Sequence, residues 1–179
     1  MEKRTGRVIV QTPGGTAAKG SYTYKLSIPS SWIKEMGITG DEREVDLSFD
    51  GTTIRVSKKL SLDEFINRGK EKNHTLYQFL FYDGEILCSK IAADYTEKAL
   101  CVENDMADFL RTAFGNNLMP TWTDFEAFLE ERCIPRSRAG LREYLETIGV
   151  DKYEPLEIIK KTEGRMAEDN QWLKVEEVK

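Results

Sequence analysis

Residues 24–59, YKLSIPSSWIKEMGITGDEREVDLSFDGTTIRVSKK, constrain the fold more than any other part of the chain. Tyr22, Tyr24, Leu26 and Ile28 alternate with Thr23, Lys25 and Ser27, the period of a half-buried strand that Pro29 ends. Ser30 or Ser31 can cap a short helix with Trp32, Ile33 and Met36 as its apolar face, and Gly37 closes it. Val45, Leu47 and Phe49 alternate up to Asp50-Gly51, and Ile54 and Val56 alternate after it, which reads as a hairpin with a two-residue turn. A strand, one or two helical turns and a hairpin in fewer than forty residues cannot bury a core unaided. The block therefore requires a second copy of itself.

The segment before it supplies one more strand, GRVIVQ at 6–11, with Val8 and Val10 on one face. TPGGTAAKGS at 12–21 has no apolar period and reads as a loop whose Gly14, Gly15 and Gly20 permit close approach to a partner. Residues 60–72, LSLDEFINRGKEK, read as a short helix running into a charged linker, so the domains are set at 1–60 and 73–179, joined by 61–72.

Beyond the linker, TLYQFLFY, Asp83-Gly84 and EILCSKIAAD form a second hairpin, and KALCVE at 98–103 adds a third strand. The hairpin aromatics Tyr77, Phe79, Phe81 and Tyr82 supply core and one exposed face. Helical periodicity then takes over in DMADFLRTAF, TWTDFEAFLEERC, RSRAGLREYLETIG and EPLEIIKKT. The fold class is α+β, with a small β unit followed by a domain of one three-stranded antiparallel sheet and several helices.

The charge is divided unevenly. Residues 1–60 hold ten Lys/Arg against seven Asp/Glu, a net of +3, which leaves 16 against 24, or −8, of the total of −5 for the rest. A basic front end on an acidic body suits a nucleic-acid module carrying a second domain that does not bind DNA.

With 40% hydrophobic residues and no apolar run long enough to span a bilayer, the composition is that of a globular chain with no membrane partner. The amino-terminal MEKRTGRVIV lacks a signal-peptide core, so a cytoplasmic location is expected. Cys88, Cys101 and Cys133 are widely spaced and His74 has no cysteine near it, so neither a metal site nor another cofactor is expected. With one histidine, no phosphate-binding glycine motif and no base beside any cysteine, no catalytic residue stands out and an enzyme is not expected.

The elements YKLSIPSSWIKEMGI and REVDLSFDGTTIRVSKK, in this order, resemble the AbrB/MazE/SpoVT-type swapped-hairpin domain over about residues 5–60. The resemblance implies two chains interlacing their hairpins into one barrel, a homodimer that binds double-stranded DNA. It implies DNA contacts from Lys3, Arg4, Arg7, Lys19, Ser21, Tyr22, Thr23 and Lys25. Their chemistry agrees, because Lys and Arg neutralise phosphates and a guanidinium matches the two acceptors of guanine. The run Glu42-Arg43-Glu44 after Gly40-Asp41 and the long loop at 12–21 depart from the family's pattern.

The second domain carries Arg132, Arg136 and Arg138 within seven residues, at the start of a helix. They can grip phosphate or an acidic partner, with Arg165 as a further partner-binding candidate, or pair with Glu130, Glu131 and Glu143. Arg165, Asp169 and Trp172 form a second polar group around Gly164. The stretch from 128 to 172 loosely resembles uncharacterised mobile-element proteins of Gram-positive bacteria. Two functions follow as expectations. One is a dimeric DNA-binding transcriptional regulator or antitoxin with a partner-binding second domain. The other is an anti-CRISPR-like mobile-element or phage inhibitor of a host defence nuclease, whose first domain autoregulates its expression.

Overall fold

The structure, a computed structural model, describes residues 2–12 and 22–179. Apart from Thr12, the glycine-rich loop expected at 12–21 lies outside them. The chain divides into two units, Met1–Lys59 and Leu60–Lys179.

In the first unit β1 (Val8–Gln11) pairs antiparallel with β2 (Thr23–Leu26), Val8 opposite Leu26 and Val10 opposite Tyr24. Helix α1 (Ser30–Glu35) follows. Neither serine caps it: Pro29 is the N-cap, and its carbonyl accepts from the backbone N–H groups of Trp32 and Ile33. Gly37 ends the helix with a φ of 69°, a left-handed conformation that glycine adopts most readily. Strands β3 (Val45–Phe49) and β4 (Ile54–Lys58) form the second hairpin. Phe49 pairs with Ile54, so the connection is the four residues 50–53 and not a two-residue turn. Asp50 Oδ1 accepts from the backbone N–H groups of Thr52 and Thr53 and so builds the turn from its own side chain.

The two hairpins are open two-stranded sheets, and the single chain closes no barrel. None of the described residues of this unit is buried. The alternation read in β2 is present, but the strand is not half-buried. Tyr24 and Leu26 share a face with Val8 and Val10, and all four are more than half exposed. On the other hairpin Leu47 is 58% exposed, Phe49 69% and Ile54 68%.

The second unit is a layered α+β fold. Its sheet has four antiparallel strands, not three, in the order β7-β6-β5-β8: β5 (Leu76–Asp83), β6 (Ile86–Asp94), β7 (Ala99–Asn104) and β8 (Gln171–Val178). The added edge strand is the carboxy-terminal tail, with Leu173 opposite Phe81 and Val175 opposite Phe79.

Alternation places Phe79, Phe81, Ile91, Ala93 and Leu173 on one sheet face, where they form the core with α3 (Trp122–Glu131) and α5 (Pro155–Thr162). Phe79 meets Phe125 and Phe81 meets Phe128 edge to face, at 5.2 and 5.5 Å between ring centroids. Helix α4 (Leu141–Ile148) packs on α5 and adds Leu145 to this core.

The charged segment 61–72 is not a linker. It forms α2 (Leu62–Glu71) and lies against the opposite sheet face, where a Cβ on Gly69 would stand 2.7 Å from the Leu76 side chain. Ser61 and Glu64 form a reciprocal capping box at its start. His74, just past this helix, does not sit in a linker either, since its Nδ1 pairs with Asp94 Oδ2 at 2.6 Å. The helix expected over DMADFLRTAF shrinks to one 3-10 turn at Phe109–Arg111. The N–H of Leu110 is taken by Asp108 and that of Ala113 by the Ser89 hydroxyl, which ends the helical ladder.

Among the described residues no helix is long and apolar enough to cross a membrane.

Candidate nucleic-acid interface

Strand alternation gives the first hairpin one apolar face and one mixed face on which Ile9 stands among polar residues. Ile9, Gln11, Thr23 and Lys25 share the face opposite Val8, Val10, Tyr24 and Leu26, because Ile9 pairs with Lys25 and Gln11 with Thr23. Tyr22 is exposed directly before β2, and Arg7 directly before β1. Of the residues expected at a DNA interface, this hairpin therefore gathers Arg7, Tyr22, Thr23 and Lys25.

Lys3, Arg7 and Lys25 make no ion pair among the described residues, whereas Lys58 pairs with Glu42 at 3.0 Å and Lys59 with Glu44 at 2.8 Å. Lys3, Arg7 and Lys25 thus keep their charge available to an anion, as does Arg55 on β4, whereas Lys58 and Lys59 are held by carboxylates. Arg4 is placed differently. Its guanidinium lies 5.8 Å from the Trp32 ring, and the Trp32 Nε1–H donates to the Glu2 carboxylate. Trp32 is half-buried under the amino-terminal segment and does not occupy a core. Lys19 and Ser21 lie outside the described residues.

The arginines of the second unit do not form a common grip. Arg132 caps the end of α3 and does not start a helix. It is 8% exposed, so it is removed from the partner-binding set. Its Nε donates to the Gly164 carbonyl at 3.0 Å, and its two terminal nitrogens hold Asp169 at 2.6 and 2.9 Å. It also donates to the Gln171 carbonyl at 2.8 Å.

The two polar groups that look separate in the sequence are joined here. The Arg132 guanidinium keeps the Asp169 carboxyl below its ordinary range, although partial burial works the other way. Arg136 pairs with Glu130 at 2.6 Å and stacks 4.1 Å over the Tyr153 ring. Arg165 pairs with Glu163 at 2.7 Å and stacks 4.6 Å over Trp172. Arg138, exposed in the turn before α4, has no ion pair among the described residues. Asp169, the partner of Arg132, lies 37 residues away, and nothing in local spacing marks it.

Burial pushes the Cys133 thiol up to about 12 and raises that of Cys88, so both stay protonated and inert as nucleophiles. Among the described residues no group of three His, Cys, Asp or Glu side chains is placed to hold a metal. The chain matches no protein-family model, no curated protein and no solved structure.

Proposed function

We propose that the protein is a dimeric DNA-binding regulator of the transcriptional or antitoxin type. Its first unit interlaces with that of a second copy, and its second unit engages a partner. The observation that carries this reading is the apolar face left uncovered on each hairpin of a unit with no buried residue among those described. Isolated two-stranded hairpins are marginal in water, and contiguous apolar surface marks an interface. A second copy is the economical occupant, because one two-fold axis covers both copies' faces with the same residues. The resemblance of residues 5–60 to swapped-hairpin domains implies this arrangement as well.

The mixed face of the first hairpin supports DNA as the ligand. Lys25 and Thr23 lie on it, Arg7 enters it, and the unit as a whole carries +3. Doubling the unit places two such sets on one particle, matched to two half-sites. Cations with no internal partner release condensed counterions when they meet phosphates, which makes binding steeply dependent on salt.

The test is a gel-shift of the full chain on DNA from upstream of its own coding sequence at two salt concentrations. Specific retardation at low salt, weakened by salt and by Arg7→Ala, supports the reading. Absence of any shift at low salt removes it.

A further inference from the structure

The sheet of the second unit has two edge strands, and the chain protects one of them. At β8 the Gln171 N–H donates to Asp169 Oδ1 at 2.9 Å, and the Gln171 carbonyl accepts from Arg132 at 2.8 Å. The Leu173 N–H donates to the Glu163 carbonyl at 2.7 Å. The rest of that strand carries Lys174, Glu176 and Glu177, charges of the kind that keep an edge from pairing.

The other edge, β7, is open. The Asp105 N–H donates to the Cys88 carbonyl at 3.0 Å, which sets the phase of the ladder between β7 and β6. Ala99, Cys101 and Glu103 therefore turn their backbone groups towards β6, and Leu100 and Val102 turn theirs outward. The outward N–H and C=O groups of Leu100 and Val102 have no hydrogen-bond partner among the described residues. No charged side chain stands between Ala99 and Val102. The Leu100 and Val102 side chains are half-buried against the core. Cys101 and Glu103 lie on the α2 face, where Glu103 accepts from the Leu62 N–H at 2.9 Å.

We propose that this open edge pairs with β7 of a second copy, antiparallel about a two-fold axis at Cys101, so that the two sheets join into one. The register follows from the side chains. With Cys101 opposite Cys101 of the second copy, Leu100 stands beside Val102 of the second copy, and the reverse, on the core face of the joined sheet. Each of these pairs exchanges two backbone hydrogen bonds, so every outward group of Leu100 and Val102 gains a partner. An axis at Val102 would set Leu100 against Asn104, and an axis at Leu100 would set Val102 against Lys98.

Leu60, where the first unit joins, lies at the same place, since its carbonyl accepts from Cys101 Sγ at 3.5 Å. The axis brings the two joins together, so one two-fold serves both units of the same two chains. Two pairs of such bonds are few for a free association, but the pairing becomes intramolecular once the first units are interlaced. The inference rests on the dimer proposed above and gives it a second contact.

The test is oxidation of the full chain by copper phenanthroline in air, read on non-reducing gels beside light scattering. Residues directly opposed at a non-hydrogen-bonded site stand about 4.5 Å apart at Cα, a span that a disulfide bridges. Cys88 and Cys133 are buried and take no part. Rapid conversion of most of the chain to a covalent dimer is expected, abolished by Cys101→Ser. In the Cys101→Ser background, Ala99→Cys offsets the two thiols by about 13 Å along the strands and should cross-link about tenfold more slowly or less. Val102→Lys should suppress the Cys101 cross-link and leave the dimer intact in light scattering. A dimer with no Cys101 cross-link, or with Ala99→Cys cross-linking as fast, overturns the pairing and leaves the first-unit dimer standing. A monomer in light scattering overturns both.

Discussion

Arg132 and Asp169 form a two-pronged ion pair, Nη1 to Oδ2 at 2.6 Å and Nη2 to Oδ1 at 2.9 Å, that ties the end of α3 to the entry of β8. The same guanidinium holds the Gly164 and Gln171 carbonyls. Because Arg132 is buried, its removal would strand Asp169 and two carbonyls. Arg132→Ala is therefore expected to destabilise the second unit by about 3 kcal/mol or more, read as a lowered urea midpoint.

The same pair sets a pH dependence. Asp169 has a lower pKa folded than unfolded, so the unfolded chain takes up its proton first as the pH falls. The stabilisation is complete above about pH 5, begins to fall as the pH nears the unfolded value, and disappears as it drops through the folded one. Asp169→Asn should lower the melting temperature at neutral pH and flatten its decline between roughly pH 5 and 2. An unchanged acid slope would show that the pair contributes nothing.

Gly69 reverses the usual helix preference. Replacing a mid-helix glycine with alanine ordinarily stabilises by about 1 kcal/mol. Here the new Cβ would stand 2.7 and 2.9 Å from the two methyls of Leu76, which is 2% exposed. Gly69→Ala should cost about 1 kcal/mol or more through overpacking, seen as a lower melting temperature.

The uncovered faces of the first unit make the assembly sensitive to charge. Phe49→Glu places a carboxylate where the account puts an interface between copies. It should abolish the dimer in light scattering coupled to size exclusion, whereas Arg55→Glu, on the opposite face of the same hairpin, should leave the dimer intact.

DNA binding should register the loss of single cations through salt. Arg7→Ala and Lys25→Ala are each expected to weaken binding and to reduce the slope of log K against log salt by roughly 1. A slope equal to that of the unaltered protein would exclude these residues from phosphate contact.

The elements legible in the sequence are those whose signals are local. Alternation placed β1 through β7, and Gly37 and the helical periods placed α1, α3, α4 and α5. Strand β8 escaped because Lys174, Glu176 and Glu177 dilute its period. It is an edge strand, and its inward residues Leu173 and Val175 gain meaning only opposite Phe81 and Phe79. The short helix read at 60–72 is α2, but its charge suggests a linker, and only its packing against Leu76 on the sheet makes it part of the second unit. The helix expected at 105–114 fails for a non-local reason, since Ser89 on β6 takes the Ala113 N–H.

The candidate sites divide the same way. The cationic hairpin is readable from charge and alternation. The Arg132 network joins residues 32 to 39 positions apart, which no spacing rule connects.

The central claim is tested most directly by a fluorescence-anisotropy titration of the full chain into a labelled duplex from upstream of its own coding sequence, at low salt and at stoichiometric concentrations. The account predicts saturation at two chains per binding site, with affinity falling in Arg7→Ala. Saturation at one chain, or no binding at low salt, would contradict it.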